Sequence, residues 1–244
     1  MNKASLYINH EAFDELTPEA RYWIGYLAAD GCLTYAKRKR KSGKIALYPM
    51  VSVTCCVRNK HHLESFRRFL KSGHKITVYT YETSFGITTQ AKFAFISSRI
   101  WAALERCGLT PRKSVSLKVA EDLELDADFW RGMLDGDGSI GIQNYGKRTY
   151  ASVQLDGSLH VLTQFQRYVE IVTGNVYKVS AHPSIKGFGR LKLNSKPACK
   201  LLSVLYGNDN VALKRNIALN AIKLGGSIGN QDKSQINGSA PSGV

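Results

Sequence analysis

Two similar segments occur in the same order along the chain, and this internal repeat limits the possible folds more than any other feature. Residues 23–31 read WIGYLAADG and residues 130–138 read WRGMLDGDG. Further along, residues 63–69 (LESFRRF) are matched by residues 162–168 (LTQFQRY), and a third short match follows in each copy. Because the matches are ordered and about 100 residues apart, a duplication is the simplest explanation.

The elements predicted within each copy also follow the same order. The hydrophobic period changes from helix to strand pair, helix, strand pair and helix, which indicates an α+β chain of two pseudo-symmetric αββαββα halves with antiparallel sheets. We predict a first repeat over residues 1–107, a linker over 108–125 and a second repeat over 126–224. Residues 225–244 are rich in Gly, Ser and Asn without periodicity, and we predict a disordered tail there.

The charge of the chain points to a polyanionic partner. The 244 residues include 34 Lys and Arg against 19 Asp and Glu, a formal net charge of +15. Phosphate backbones attract such an excess, so nucleic acid is the first candidate. An anionic membrane surface is the second candidate, but the sequence lacks a basic amphipathic helix with a clean apolar face. The densest basic run, residues 37–41, instead lies beside strand-like segments.

Nothing in the sequence predicts export, a membrane span, a disulfide framework or a zinc site. No run of about 18 apolar residues is present, and the N-terminal residues include Glu11, Asp14 and Glu15. The five cysteines are odd in number and show no CxxC spacing. We therefore expect a soluble, intracellular protein with reduced thiols and no targeting signal.

Each of the two motifs ends with a carboxylate at the predicted C-terminus of a helix. The first helix should begin at Thr17 and end at Gly31, which suits a left-handed cap. A helix C-terminus carries partial negative charge, so Asp30 and Asp137 occupy electrostatically unfavourable positions. If the two helices pack closely through their glycines, the acids meet at one end. A divalent cation would relieve the repulsion, and carboxylate oxygens favour Mg²⁺ or Mn²⁺.

The paired segments resemble the LAGLIDADG motifs of homing endonucleases, in the single-chain form with two repeats, and the resemblance covers about residues 17–223. It implies that the motif helices form the interface between the halves and that the two sheets form a saddle over DNA. It also implies that Asp30 and Asp137 bind metal, with the main-chain oxygens of Ala29 and Gly136 beside them.

The first motif departs from this pattern at its sixth position. Ala28 stands where the second motif has Asp135. We expect the missing acid not to abolish activity, because this position commonly serves helix packing or capping. Both motifs also begin with a tryptophan, Trp23 and Trp130, where the pattern has leucine, and we expect these two rings in the core.

The implied reaction is metal-assisted hydrolysis of a DNA phosphodiester in each strand, which needs no nucleophilic side chain. The resemblance also implies a basic residue near each scissile phosphate, following the third helix of each half. Lys113 matches this position in the first half, and Lys214 or Arg215 in the second. The alternative is that these residues are solvated surface bases.

The resemblance further implies that the polar faces of the sheets read a long asymmetric DNA target, because a β-ribbon fits the major groove. The candidates in the first half are Tyr35, Lys37, Lys39, Arg40, Lys75, Thr77, Tyr79 and Tyr81. The candidates in the second half are Gln143, Ser152, Gln154, Arg190 and Lys192.

We therefore predict a monomeric, site-specific, Mg²⁺- or Mn²⁺-dependent DNA endonuclease of the kind involved in intron homing. Two alternatives remain from the binding class. One is an intron RNA maturase or a non-cleaving DNA-binding regulator that uses the same fold, and the other is a basic structural protein that binds nucleic acid without chemistry.

Overall fold

The computed structural model describes residues 7–84, 86–113, 117–145, 148–208 and 211–226. The first half contains α1 (Pro18–Asp30), β1 (Gly31–Lys39), β2 (Ile45–Cys56), α2 (Lys60–Phe69), β3 (Thr77–Thr83), β4 (Gly86–Ile96) and α3 (Ser98–Arg106). A short helix, α4 (Glu121–Glu124), lies between the halves. The second half contains α5 (Ala127–Gly136), β5 (Gly138–Tyr145), β6 (Arg148–Ser158), α6 (Leu159–Thr173), β7 (Ser180–Ala181), β8 (Phe188–Asn194), α7 (Ser195–Tyr206) and α8 (Arg215–Gly226).

The two halves have the same topology. Each contains a four-stranded antiparallel sheet, with strand order β1-β2-β4-β3 in the first half and β5-β6-β8-β7 in the second. The α+β prediction is confirmed. Helix α8 continues through Gly226, two residues into the predicted tail, and residues 227–244 of that tail lie outside the described residues.

Each sheet has one face packed against helices, called the helix face below, and an opposite face, called the open face. In the first half, the helix face carries Val53 and Phe93, which are directly paired and buried, and Phe93 contacts the ring of Phe66 on α2 at 5.7 Å between centroids. The next residues along each strand, such as Thr54 and Lys92, point to the open face. The sheets therefore bury one face and leave the other available to a partner.

The first motif helix begins as predicted and ends differently. The Thr17 side chain accepts a hydrogen bond from the backbone N–H of Ala20, and Pro18 occupies the first turn. Gly31, expected to be left-handed, has φ −74° and ψ 152° and is already the first residue of β1, paired with Val53. Glycine is needed there because a Cβ would lie 2.5 Å from the carbonyl oxygen of Leu27.

Helices α1 and α5 pack with their backbones in direct contact. A Cβ added to Gly25 would lie 2.0 Å from the carbonyl oxygen of Phe129, and one added to Gly132 would lie 2.1 Å from that of Tyr22. The predicted close approach through these glycines is confirmed. Trp23 and Trp130 are fully buried, as expected for core residues.

None of the helices in the described part of the chain combines the length and the apolar character that a membrane span requires.

Candidate active site

The two motif acids lie at the same end of the α1–α5 pair. Asp30 is the last residue of α1, and Asp137 directly follows α5. Gly136 packs against the end of α1, since a Cβ added to it would lie 2.3 Å from Cβ of Ala29 and 3.5 Å from the carboxyl carbon of Asp30. The close packing of the two helices therefore brings the carboxylate of Asp30 next to the chain segment that carries Asp137.

The environment of these acids disfavours their charged forms. Both residues reach the surface, but burial around the carboxyl groups and the neighbouring Asp30 raise the pKa of Asp137 to about 6. Burial also raises the pKa of Asp30, against the opposing effects of Lys214, the Tyr26 hydroxyl and Lys113. Two acids with raised pKa values, at two negative helix ends, form a site that a cation would stabilise.

One lysine from each half binds the end of a motif helix. Lys113 Nζ donates to the carbonyl oxygen of Ala29 at 3.0 Å, and Lys214 Nζ donates to that of Gly136 at 3.3 Å. Each of these carbonyls belongs to the residue that precedes a motif acid, so the two contacts are pseudo-symmetric. Lys214 also donates to the carbonyl oxygens of Leu134 at 2.8 Å and Gly138 at 2.5 Å.

These contacts bear on the predicted site residues. The carbonyls of Ala29 and Gly136, which the resemblance places near metal, already accept from ammonium groups, but each carbonyl oxygen has a second lone pair. Arg215 is oriented differently from Lys214, because its Nε donates to the carbonyl oxygen of Asn208 at 3.3 Å. Burial lowers the pKa of both Lys113 and Lys214, while nearby carboxylates oppose that shift.

Asp135, which the sequence analysis treated only as a packing or capping position, is the centre of a buried hydrogen-bond network. Its carboxylate accepts from the hydroxyls of Tyr22 at 2.7 Å and Tyr206 at 2.9 Å. It also accepts from the backbone N–H groups of Leu213 at 2.5 Å and Lys214 at 3.0 Å. Asp135 therefore holds Leu213 and Lys214, the two residues that directly precede α8, against the motif helix α5. The signal in the sequence was the contrast between Asp135 and Ala28.

His62, on α2, extends this network further into the first half. Its Nε2 lies 2.9 Å from the hydroxyl of Tyr22, and its ring packs against that of Trp23 at 4.8 Å between centroids. Burial lowers the pKa of His62 to about 3, so the imidazole is neutral at physiological pH. His62 links two packed helices in the core.

In the first half, three of the predicted DNA-contacting residues share the open face. Thr77, Tyr79 and Tyr81 are every second residue of β3 and so lie on the same face. Tyr79 donates a hydrogen bond to Gln90 Oε1 on β4 at 3.0 Å. The rings of Tyr79 and Tyr81 stack with centroids 5.9 Å apart. Lys75 is exposed in the segment before β3.

Other predicted residues of the first half point the opposite way. Tyr35, Lys37 and Lys39 share strand parity with the buried Leu33, and the ring of Tyr35 packs against Trp101 on the helix side, at 4.9 Å between centroids. The residues of β1 on the open face are instead Cys32, Thr34, Ala36 and Arg38. The polar side chains of Tyr35, Lys37 and Lys39 predicted that they lie on the open face, but the register of β1 against β2 places them on the helix face. Arg40 is exposed in the β1–β2 turn.

In the second half, all five predicted DNA-contacting residues share the open face. Strand pairing places Gln154 beside Lys192, while Ser152 and Gln143 lie on the same side. Arg190 pairs directly with Asp156 and forms an ion pair with it. Ser152 is only 6% exposed, so its hydroxyl has little access to a partner. As DNA contacts, all of these residues remain predictions.

The same architecture occurs in solved structures of LAGLIDADG homing endonucleases. I-GzeII in complex with its DNA target aligns with a TM-score of 0.63 at 12% identity, covering 91% of this chain and 94% of that one. I-LtrWI bound to target DNA gives 0.62 at 13% identity, with 92% and 93% coverage. I-SmaMI bound to cleaved DNA gives 0.59 at 14% identity, with 91% and 93% coverage.

The chain therefore has the two-repeat fold of the LAGLIDADG homing endonucleases, and the predicted resemblance is confirmed at the level of structure. No protein-family model and no curated protein sequence matches this chain.

Proposed function

We propose that this protein is a site-specific DNA endonuclease that makes a double-strand break in a long asymmetric target by divalent-metal-dependent hydrolysis. The observation that carries the proposal is the meeting of Asp30 and Asp137 at the shared end of α1 and α5, with one lysine from each half beside them. The similar structures, which include endonucleases bound to DNA targets, support it.

The donor set fits a hard divalent cation. Asp30 and Asp137 offer carboxylate oxygens whose pKa values are raised mainly by burial, and the carbonyl oxygens of Ala29 and Gly136 lie beside them. Among the described residues, no three His, Cys, Asp or Glu side chains cluster so as to hold a metal. Water and DNA phosphate would therefore complete the coordination shell of Mg²⁺ or Mn²⁺, as is usual for Mg²⁺.

When bound, such a cation supplies Lewis-acid stabilisation of phosphate oxygens and a more acidic water. The side chains of this chain bind and orient the DNA. Lys113 and Lys214 hold their ammonium groups against the ends of α1 and α5, where they can offset negative charge on a scissile phosphate. No nucleophilic side chain is required.

The net charge and the open faces of the sheets support DNA as the substrate. The net charge of +15 favours binding to the phosphate backbone of DNA, whatever its base sequence. The open face of β3 carries stacked tyrosines, whereas that of β8 carries Arg190 and Lys192. Because the two faces differ chemically, we infer that the two halves of the target differ in sequence. Both halves belong to one chain, so we propose that the protein acts as a monomer.

The test is selection of cleaved sequences from a randomised duplex DNA library with Mg²⁺. The wild-type protein should enrich one long non-palindromic site, and a double variant with Asp30→Asn and Asp137→Asn should enrich none while melting cooperatively. Binding of one site without cleavage under any divalent metal would overturn the proposal in favour of a non-cleaving regulator. Binding of an intron transcript in place of DNA would favour a maturase.

A further inference from the structure

We propose that the carboxylate of Asp156 orients two base-reading side chains, Arg190 and Gln154, so that Arg190 recognises a guanine close to the centre of the DNA target. Asp156 is not among the residues predicted from the sequence to contact DNA. The inference rests on the proposed DNA-binding function and specifies which base this part of the sheet reads.

Asp156 binds both neighbouring side chains at once. Arg190 Nε donates to Asp156 Oδ1 at 2.7 Å, and Gln154 Nε2 donates to Asp156 Oδ2 at 2.6 Å. The three residues share the open face of the second sheet, since Asp156 pairs with Arg190 across β6 and β8 and Gln154 lies two residues before Asp156. The side chains of Arg190 and Asp156 remain 53% and 45% exposed.

The hydrogen bond from Nε to Asp156 determines which N–H groups of Arg190 remain available to DNA. It occupies the inner edge of the guanidinium and leaves both terminal nitrogens, which have no partner in the described part of the chain. Two parallel N–H groups on one planar group match O6 and N7 of guanine in the major groove, the commonest specific arginine contact. Holding the guanidinium in one orientation before binding also lowers the entropic cost of the contact.

The same carboxylate restricts Gln154. One N–H of its amide nitrogen donates to Asp156, which fixes the orientation of the amide and leaves the carbonyl oxygen and the second N–H. An acceptor in the major groove can receive a hydrogen bond from the amino group of adenine or cytosine, but guanine and thymine offer no donor there. The pair therefore presents the two terminal nitrogens of Arg190 as donors and the carbonyl oxygen of Gln154 as an acceptor beside its second N–H.

The position of Asp156 places this contact near the cleavage centre. Leu155, the preceding residue, pairs with Gly138, which directly follows the motif acid Asp137. Asp156 also contributes to the raised pKa of Asp137. The base pair read by Arg190 should therefore lie close to the scissile phosphates.

The first half lacks the equivalent arrangement. The residue after each motif acid gives the alignment of the two sheets: Gly31 pairs with Val53, and Gly138 pairs with Leu155. The next residue in each second strand is therefore Thr54 or Asp156. Their partners on the neighbouring strands are Lys92 and Arg190. Threonine and lysine cannot form this carboxylate–guanidinium pair. A guanine preference that depends on a carboxylate-held arginine should therefore occur in only one half of the target.

The experiment compares the base preferences of four proteins by selection for binding in Ca²⁺ and selection for cleavage in Mg²⁺. The variants are Arg190→Gln, Asp156→Asn and, as a matched change of charge on the helix side, Glu170→Gln on α6. The wild type and Glu170→Gln should select guanine at one position in one half-site. Arg190→Gln should lose that preference, and Asp156→Asn should weaken it about tenfold, because the guanidinium is then no longer held in one orientation.

Three results would overturn the inference. The first is an Asp156→Asn variant that keeps the guanine preference while Arg190→Gln removes it. The second is an Asp156→Asn variant that cleaves every sequence equally slowly, which would make Asp156 part of the hydrolytic site. The binding selection separates these outcomes from failure of the proposed function, because it reports base preference even if no sequence is cleaved. If the wild type selects no guanine dependent on Arg190, the inference is wrong.

Discussion

A carboxylate at the negative end of a helix destabilises the fold unless something compensates for its charge. In this chain the cost falls on Asp30 and Asp137: burial raises the pKa of both carboxyl groups, and the neighbouring Asp30 raises that of Asp137 further. Natural sequences keep such unfavourable placements mainly at functional sites. Their effect on stability can be measured independently of activity.

Asp137→Asn should stabilise the metal-free protein at pH 7.5. Folding raises the pKa of Asp137 from 3.8 to about 6, so its ionisation opposes folding above pH 6, and this penalty disappears as the pH falls towards 4. Because solvent screens this surface carboxylate, we expect a gain of about 1 kcal/mol, or about 2–4 °C in Tm, measured by thermal unfolding in EDTA.

The gain should shrink steadily as the pH falls from 6 towards 4, and Glu105→Gln, which removes an exposed carboxylate on α3, is the control variant. Mg²⁺ should raise the Tm of the wild type more than that of the variant, because a ligand that binds only the folded state stabilises it. A variant less stable than the wild type at pH 7.5 would contradict the electrostatic account.

The hydrogen bonds of Lys214 and Arg215 distinguish which of the two is the basic residue near the scissile phosphate in the second half, an assignment that the sequence left open. Lys214→Met should slow cleavage of one strand by about 100-fold, the cost of removing one group that stabilises transition-state charge. Arg215→Met should have a much smaller effect, because the Arg215 side chain donates to the carbonyl oxygen of Asn208. Strand-resolved single-turnover kinetics would measure both, and a larger loss for Arg215→Met would reverse the assignment.

At the scale of elements, the contact between α1 and α5 determines where the acids meet. Gly132→Ala should destabilise the protein by about 1–3 kcal/mol, because its Cβ would lie 2.1 Å from the carbonyl oxygen of Tyr22 and the helices would have to separate. Gly141→Ala, with no atom within 4 Å of the added Cβ, is the matched control. Denaturant unfolding should show a clear loss only for the first variant; equal losses would mean that the close approach is not required.

The network around Asp135 links α5 to α1, α7 and the residues before α8. Tyr206→Phe removes a hydrogen bond to a buried carboxylate and should cost about 1.5–3 kcal/mol. Tyr168→Phe is its control, since the Tyr168 hydroxyl is buried without a hydrogen-bond partner in the described part of the chain and its loss should be neutral or favourable. The free energies of unfolding would contradict this account if Tyr168→Phe were the more destabilising variant.

Element-scale prediction from the sequence succeeded where local patterns decide the structure. The repeat and the changes of hydrophobic period predicted the helix and strand order, and the motif glycines predicted the close helix pair. The face of Tyr35 on β1 was mispredicted because register depends on which residue of β2 it opposes, and no local pattern contains that information.

At the scale of the whole molecule, the duplication explains both the symmetry and its limits. The paired acids and lysines follow the repeat and could be inferred from the aligned motifs. The Asp135 network and the Asp156–Arg190 pair occur in the second half at positions where the first half has Ala28 and Thr54 with Lys92. The roles of these residues depend on tertiary contacts across strands and helices. The sequence therefore showed that the two repeats differ at these positions, but it did not predict the hydrogen bonds formed there.

The central claim is that the two acids act together as one metal-binding pair between the halves. The most direct measurement is strand-resolved cleavage of the selected target by Asp30→Asn and Asp137→Asn separately, with binding measured in Ca²⁺. We predict that each variant binds the target and loses cleavage of both strands by at least about 100-fold. If either variant cut both strands at the wild-type rate, the two carboxylates would not form the catalytic site.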